Sequence, residues 1–395
     1  MSEIEQDITQ SGEAQGESQP QGVQQDSQPN PNEPNPLRSI HTTNFPAILK
    51  ELNASLVVST YQAGKVVLVK ADLSDETPRL NTHFCFFKKP MGIAANYARM
   101  AVGCAAEVWH LHNMPAVAQK TEPIGSFDAC YVPLRSHITG DIDIHEMAFD
   151  KDGELWIINT KFSCLCTLDS HNSFVPRWRP PFITALTPED RCHLNGLAMV
   201  NGQPKYVTML GESDEANGWR PDKARGGMLM DMTTNQVIIR NLSMPHSPRM
   251  YNNQLWVLES GNGSLAAIDH YKDPTRAKLR TVTELPGFTR GLDFCGPLAF
   301  IGLSQIRETA VFSGLPLTER LNERICGVYV VNINNGEIIA FLQFEEAVQE
   351  IFAVQVLPNV RAPDLMGWDD QRLAHSYLLP DEAMSDVPSE IKGTA

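Results

Sequence analysis

The chain has 395 residues, more than an average single domain, so two domains or one large repeat architecture must account for its length. With 42% hydrophobic and 20% charged residues and no apolar run near the roughly 20 residues of a membrane span, the composition is typical of a soluble globular protein. The net charge of −15 argues against non-specific binding to nucleic acid or to an anionic membrane, because both need a surplus of Lys and Arg.

The two ends of the chain differ from its middle. Residues 1–38 are rich in Gln, Ser, Glu, Pro, Gly and Asn, with no aromatic residue before Phe45, which predicts a disordered arm. Residues 369–395 lose strand periodicity and gain acidic residues and Pro. Partial or complete disorder is expected in this tail, with at most a short helix near residues 371–378. A single domain is expected over residues 40–368.

The beginning of the chain and its cysteines bear on the compartment. The acidic start MSEIEQDITQ lacks the basic and apolar regions of a secretory signal, so a cytoplasmic location is expected. Eight cysteines are scattered without a CxxC pair, which favours reduced, mostly buried thiols over a disulfide or zinc framework.

Six similar segments recur through the middle of the chain. They are MGIAA, HEMAF, NGLAM, HSPRM, RGLDF and EIFAV, which begin at Met91, His145, Asn195, His246, Arg290 and Glu350. Their spacing of 44 to 60 residues is close to the period of propeller blades. After each of the first five segments, a short turn rich in Gly, Asn, Asp or Pro leads to a second apolar segment, as in a β-hairpin.

The last segment has no second strand after it. Residues 56–72, LVVSTYQAGKVVLVKAD, have the spacing of a second strand, a turn and a third strand. We therefore predict an all-β, six-bladed β-propeller in which the N-terminal strands complete the last blade and close the ring. A sandwich or a barrel is the alternative for many short strands, but the regular spacing and the split blade favour the propeller.

The first residue of each segment is predicted to line the mouth of the central channel. Five of these six residues are polar, and buried polar groups are stable only where they find partners, so convergence on a wet site is expected. The predicted ligand-binding residues are His145, Glu146, Asn195, His246, Arg249, Arg290 and Glu350. The long connections over residues 211–226 and 304–325, and those before His145 and Asn195, should lie on the same face.

These residues support more than one chemistry. His145, Glu146, Asn195 and His246 could hold a divalent metal, whereas Arg290 could pair with a carboxylate or phosphate of a ligand. An Arg290–Glu350 ion pair across the channel is the structural alternative. The segment PRWRPPF at residues 176–182 reads as an outer fourth strand rather than a peptide-binding surface, and Cys164 and Cys166 are expected to pack between blades. No GxSxG, P-loop or GxGxxG motif supports a serine hydrolase or a nucleotide-binding protein.

Two resemblances follow from these segments. NGLAM at Asn195 and DGELWI at Asp152 resemble strand starts of the gluconolactonase, senescence-marker and strictosidine-synthase group of six-bladed propellers. That resemblance implies a calcium-type or zinc-type metal held by a Glu and by Asn residues, with Asn195 as the best match. Here HSPR replaces an Asp expected near the fourth segment, and two His and an Arg enter the mouth.

Over residues 41–368 the chain more closely resembles a family from cyanobacteria and other environmental bacteria that is described as a domain of unknown function. The segments that carry this resemblance are FPAILKELNASLVVSTYQAGKV, HEMAFDKDGELWIINTKFSCL, HLNGLAM, MPHSPR and PGFTRGLDF. It implies no particular activity.

Three hypotheses follow. The first is a propeller that binds a small or peptide ligand with a carboxylate or phosphate at the mouth. The second is a metal-dependent hydrolase or lactonase in which His145 or Glu146 is base or ligand. The third is a scaffold whose outer faces bind another protein.

Overall fold

The computed structural model describes residues 36–306 and 314–388. They belong to one compact unit. All but the last three residues of the predicted disordered arm, 1–38, lie outside the described residues. The longest helix has 7 residues, so no described helix is long and apolar enough to cross a membrane.

The described chain folds into six sheets arranged as blades, each with four antiparallel strands at its centre. The first elements are β1 (Ser39–His41), α1 (Phe45–Glu51), β2 (Ala54–Thr60), β3 (Lys65–Asp72) and β4 (Arg79–Phe86). Blade 1 comprises β5 (Ile93–Ala95), β6 (Arg99–Gly103), β7 (Glu107–Asn113) and β8 (Ala129–Ile138), with α2 (Pro115–Ala118) before β8. Blade 2 comprises β9 (Ile144–Phe149), β10 (Leu155–Asn159), β11 (Cys164–Thr167) and β12 (Val175–Trp178).

The next blades repeat this plan. Blade 3 comprises β13 (Leu194–Val200), β14 (Gln203–Met209), β15 (Gly227–Asp231) and β16 (Gln236–Leu242), with a 3-10 turn at Arg220–Asp222. Blade 4 comprises β17 (Pro245–Tyr251), β18 (Gln254–Glu259), β19 (Ser264–Asp269) and β20 (Lys278–Glu284). Blade 5 comprises β21 (Phe288–Cys295), β22 (Leu298–Ser304), β23 (Cys326–Asn332) and β24 (Ile338–Phe344), with α3 (Pro316–Arg320) before β23.

Blade 6 joins the two ends of the domain. Its inner strand β25 (Ala353–Pro358) pairs antiparallel with β2, with Leu56 opposite Val356 and Val58 opposite Val354. The predicted six-bladed propeller, closed by N-terminal strands that complete the last blade, is thus confirmed. Closure pairs every inner strand within a sheet and leaves no open gap in the ring.

Two short strands that the sequence did not predict fasten the ends further. Strand β1 adds a fifth strand to blade 5 by pairing with β24, with Ser39 opposite Phe344. Strand β26 (Pro363–Leu365) pairs in parallel with β8 of blade 1, with Pro363 opposite Ala129. Blades 5, 6 and 1 therefore all include a strand from beyond their own repeat.

The predicted short helix of the tail is present as a 3-10 helix at Gln371–His375, and a further turn, α4, covers Asp381–Met384. Arg372 anchors this part of the tail, because its guanidinium pairs with Asp364 at 2.5 Å and with Asp370 at 2.6 Å. Residues 389–395 of the tail lie outside the described part of the chain. Disorder of the tail stays a prediction.

The hydrophobic core lies between neighbouring blades rather than at the centre of the ring. Ala101 and Val108 of blade 1, for example, pack against Ile157, Cys164 and Cys166 of blade 2. Fully burying a side chain such as Ile157 stabilises the fold by roughly 1.5–3 kcal/mol. The interblade position of both cysteines is as predicted. All eight cysteines are free, and the predicted outer strand in PRWRPPF is β12.

A hydroxyl at the end of the second strand joins several blades to their neighbours. We call Ser59, Thr160, Ser260 and Ser304 the latch hydroxyls. They donate to the carbonyl oxygens of Met91 at 2.5 Å, Leu194 at 2.6 Å, Thr289 at 2.5 Å and Ile351 at 3.1 Å, respectively. Each acceptor lies at or just before the inner strand of the following blade, so these bonds hold the inner strands in register around the channel.

We predict that Ser59→Ala lowers the free energy of unfolding by about 2–3 kcal/mol. The Ser59 hydroxyl also accepts the Ala353 amide at 3.0 Å, so its loss leaves two buried backbone groups unpaired. Ser55→Ala on the same strand is the matched control, because the Ser55 hydroxyl is buried without a hydrogen-bond partner among the described residues. Urea unfolding of both variants measures the difference, and equal destabilisation would contradict the role of the latch.

Candidate functional site

The six inner strands meet at one end of the channel around a ring of equivalent residues. We call this set the channel ring; it consists of Met91, His145, Asn195, His246, Arg290 and Phe352. Four of them, His145, His246, Arg290 and Phe352, line both an outer cavity of about 190 Å³ and a narrow constriction of about 20 Å³ beneath it. Asn195 lines the constriction and Met91 lines the outer cavity, which we call the mouth.

The constriction is narrow because the inner strands approach each other closely. A Cβ atom on Gly92 would lie 2.2 Å from the His145 carbonyl oxygen, so only glycine fits beside that strand. A volume of about 20 Å³ holds about one water molecule. A ligand larger than water therefore reaches the channel ring from the mouth.

The prediction of Glu350 as a mouth residue was wrong by two positions. Phe352 occupies the equivalent place in blade 6, and Glu350 is half-buried and does not line either cavity. The inner segment of this blade begins with an apolar residue, whereas the pattern of most of the other blades predicts a polar one there. The Arg290–Glu350 ion pair is also absent from the described residues, and Arg290 lies instead 3.6 Å from the centre of the Phe352 ring.

Glu146 and Arg249 lie deeper than predicted and bind each other. Their side chains form an ion pair between blades 2 and 4, and Glu146 also accepts the Leu197 amide at 3.2 Å. Arg249 lines a separate cavity of about 320 Å³ at the far end of the channel. This pair joins inner strands across blade 3 and is not free to bind a ligand at the mouth.

The predicted metal ligands are not arranged as a metal-binding site. No three His, Cys, Asp or Glu side chains within residues 36–306 and 314–388 are arranged to hold a metal ion. The Glu146 carboxylate is occupied by Arg249, and the Asn195 Oδ1 atom accepts a hydrogen bond from Thr208 at 2.7 Å. The arrangement therefore does not favour the metal hypothesis.

Hydrogen bonds fix the tautomer of both histidines of the channel ring. The His145 Nδ1 atom lies 2.8 Å from the Thr160 hydroxyl and 3.0 Å from the Asp143 carbonyl oxygen. Because Thr160 donates its single hydrogen to Leu194, Nδ1 must carry the proton and donate to both oxygens. Nε2 is then unprotonated in the neutral ring.

His246 repeats this arrangement in blade 4. Its Nδ1 atom lies 2.9 Å from both the Ser260 hydroxyl and the Met244 carbonyl oxygen, and Ser260 donates to Thr289. Burial, with the charge of Arg290 nearby, lowers the pKa of His145 and of His246 well below the ordinary 6.5. Both rings are therefore neutral at pH 7 and present an Nε2 lone pair.

Arg290 is the positively charged residue of the channel ring, beside the two neutral histidines. Burial lowers the pKa of its guanidinium to about 10, and only Asp143 and Glu146 oppose that effect, from a distance. It forms no ion pair within the described residues, and its guanidinium makes a cation–π contact with the face of the Phe352 ring. A partly buried charge without a close counter-charge is unfavourable, and an anion in the mouth would supply that counter-charge.

The walls of the mouth come from residues that the sequence did not single out. Trp219, on the long loop of blade 3, lies 4.5 Å from His193 between ring centres and donates its indole N–H to Asp190 at 2.9 Å. Asp190 also lies 2.9 Å from the His193 Nδ1 atom. The predicted contribution of the blade 3 loop to this face is confirmed. Further rings and exposed rim charges come from Tyr61, Phe288, Phe352, Lys89 and Arg220.

Asn195 supplies the last polar group. Only 3% exposed, it donates no hydrogen bond from its Nδ2 atom to any described residue. Asn195 lines the constriction together with Arg290, the two histidines and Glu146, whose carboxylate is paired with Arg249. The space offers both donors and acceptors.

Comparison with known proteins places the chain in a family. A family model described as a domain of unknown function (DUF4915) matches residues 43–366. The chain belongs to this family. Among curated proteins no sequence match is found.

Solved structures similar to this DUF4915 member include other proteins of low sequence identity. One chain of a nidogen/laminin complex is 10% identical, with 78% of this chain and 99% of that chain covered and a TM-score of 0.48. A putative oxidoreductase (glucose dehydrogenase) from Thermus thermophilus is 13% identical, covers 73% and 92%, and has a TM-score of 0.42. Virginiamycin B lyase from Staphylococcus aureus is 9% identical, covers 62% and 71%, and has a TM-score of 0.37. Identities this low carry no information on activity.

The neutral state of His246 predicts a pH dependence of stability. Its pKa is depressed in the folded protein, so the unfolded chain binds more protons below pH 6.5, and stability falls as the pH drops from 6.5 towards the folded value. Between about pH 7.5 and about pH 5.5, the free energy of unfolding of His246→Gln should therefore fall by about 1.4 kcal/mol less than that of wild type.

Urea unfolding at the two pH values measures this difference. Comparison with wild type cancels the contributions of His83, His110 and His112, whose pKa values burial also lowers. His171→Gln on an exposed turn is the control for the substitution itself. An unchanged slope in His246→Gln would show that His246 binds protons equally well in the folded and unfolded protein, which would contradict the lowered pKa.

Proposed function

We propose that this DUF4915 member binds a small anionic molecule at the mouth, with Arg290 as the group that holds the anion. The observation that carries the proposal is a partly buried, desolvated guanidinium with no ion-pair partner among the described residues. A carboxylate on a ligand would supply the missing counter-charge and accept two parallel hydrogen bonds from the guanidinium. The protein as a whole carries a net charge of −15, so this local positive site stands out from its surface.

The shape of the mouth favours a small molecule over a peptide chain. The cavity of about 190 Å³ narrows to about 20 Å³ at the channel ring, so a chain cannot thread past it. A peptide would have to enter by its C-terminal carboxylate. The rings of Tyr61, Trp219, Phe288 and Phe352 would cover the apolar part of a bound ligand.

The other hypotheses have less support. A metal-dependent hydrolase lacks its ligand set within the described residues. A cytoplasmic location is part of the proposal, because eight free cysteines, seven of them buried, suit a reducing compartment.

Matched aromatic probes test the anion site. We expect phenylacetate to bind the full chain and the uncharged phenylacetamide to bind at least about tenfold more weakly, because only the carboxylate pairs with Arg290. Arg290→Met should abolish this difference. Arg220→Met, which removes an exposed guanidinium from the same mouth, is the control and should change affinity less than about threefold. Titration calorimetry measures each value; equal binding of both probes to wild type would rule out the anion site.

Arg290→Met should also raise the free energy of unfolding by about 1–2 kcal/mol. The substitution removes a desolvated charge whose folded state is unfavourable, and this gain exceeds the lost contact with Phe352. Urea unfolding without ligand measures the change. A lower midpoint than wild type would mean that the protein already neutralises Arg290.

A further inference from the structure

The two histidines of the channel ring restrict the chemistry of the ligand further. In both rings the Nδ1–H group points into its own blade, where a latch hydroxyl and a backbone carbonyl accept it. Each Nδ1 has two acceptors, so the tautomer does not depend on either one alone. On an imidazole Nε2 lies on the far side of the ring from Nδ1, and both histidines line the mouth and the constriction.

Neither Nε2 atom has a hydrogen-bond partner in the described part of the chain, although both side chains belong to residues only 4% exposed. A neutral, Nδ1-protonated imidazole offers Nε2 only as an acceptor. An acceptor on the ligand placed against these atoms would face two lone pairs, whereas a donor would satisfy them. The ligand must therefore bring a hydrogen-bond donor of its own.

The positive charge of Arg290 selects which donor is suitable. A protonated amine would donate, but it would place a second positive charge beside Arg290, whose guanidinium is already desolvated. A hydroxyl donates without adding charge. Its oxygen can at the same time accept from the Asn195 amide, whose Nδ2 atom lacks a partner among the described residues.

We propose that the ligand is a small hydroxycarboxylate, bound by its carboxylate to Arg290 and by its hydroxyl to Nε2 of His145 or His246. This inference rests on the anion site proposed above and adds a selectivity that charge alone does not produce. The site discriminates against ketocarboxylates of the same size, because a keto oxygen cannot donate and leaves a buried lone pair unpaired.

Two matched sets of probes test the selectivity on the full chain at about pH 8, where both histidines are neutral. The first set is mandelate, phenylglyoxylate and phenylacetate, which differ only in carrying a hydroxyl, a keto oxygen or neither. The second set is lactate, pyruvate and propionate, so that the size of the phenyl ring does not decide the result. We expect each hydroxycarboxylate, in one enantiomer at least, to bind about tenfold or more tightly than its ketocarboxylate, by titration calorimetry.

The outcomes separate this inference from the anion site. Equal affinity within each set, lost in Arg290→Met, would overturn the selectivity and leave the anion site standing. Tighter binding of the ketocarboxylates would overturn the selectivity as well. No binding by any of the six probes would overturn both proposals.

Variants at the two histidines test whether Nε2 causes the tighter binding of hydroxycarboxylates. His246→Phe and His145→Phe keep a flat ring but remove the acceptor, so at least one of them should weaken mandelate about fivefold or more and change phenylacetate less than about twofold. In case either variant fails to fold, ¹⁵N NMR of the wild-type imidazoles in the mandelate complex gives the same information. An unprotonated Nε2 on both rings supports the proposal, and an Nε2–H signal from the bound ring overturns it.

Discussion

The latch hydroxyls are the constraint on which the rest of the molecule depends. Each lies at the end of a second strand and reaches the inner strand of the next blade, so the inner strands are held as a ring by side-chain bonds as well as by apolar packing. Two of the four, Thr160 and Ser260, also accept the Nδ1–H of a channel histidine. The bonds that hold the ring together therefore also orient the groups that face its centre.

The latch hydroxyls stabilise the fold and also orient the channel histidines, whereas the charge of Arg290 lowers the stability of the fold. Its charge lies where burial disfavours it, and no described carboxylate lies close enough to form an ion pair. The Glu146–Arg249 pair deeper in the channel shows that this fold can pair such charges where binding is not needed. The contrast between a paired arginine and an unpaired one at different depths of the same channel is the basis for proposing a binding site at the mouth.

Much of the fold was predictable from sequence because the strands are local, apolar and regularly spaced. The split blade was recognisable because β2 and β3 keep the strand spacing of a blade with no first strand. The three-residue strands β1 and β26 carry no such signal, since pairing with a distant strand defines them. The positions of His145, Asn195, His246 and Arg290 at the channel ring were predictable, because these residues follow a repeated pattern.

The remaining parts of the site depend on long-range geometry. Phe352 escaped prediction because a polar residue, Glu350, stood nearby and polarity was the criterion. The pairing of Glu146 with Arg249 spans two blades and has no local signature. Trp219 lies in the long loop over residues 211–226, whose path no periodicity reveals, and long-range contacts with Asp190, His193 and a small apolar cluster hold it at the mouth.

The split blade also has a consequence for how the molecule is made. Ser55 on β2 pairs with Leu357 on β25, so an early strand waits for a partner that is synthesised near the end of the domain. At a synthesis rate of about 5–20 residues per second, that interval is roughly 15–60 s, during which β2, buried along its whole length in the finished fold, has an open edge. Contacts this distant in sequence also slow closure itself. The nascent chain is thus most exposed to mispairing just before its last blade is finished. The ring becomes a single cooperatively folded unit only after synthesis of the domain has ended.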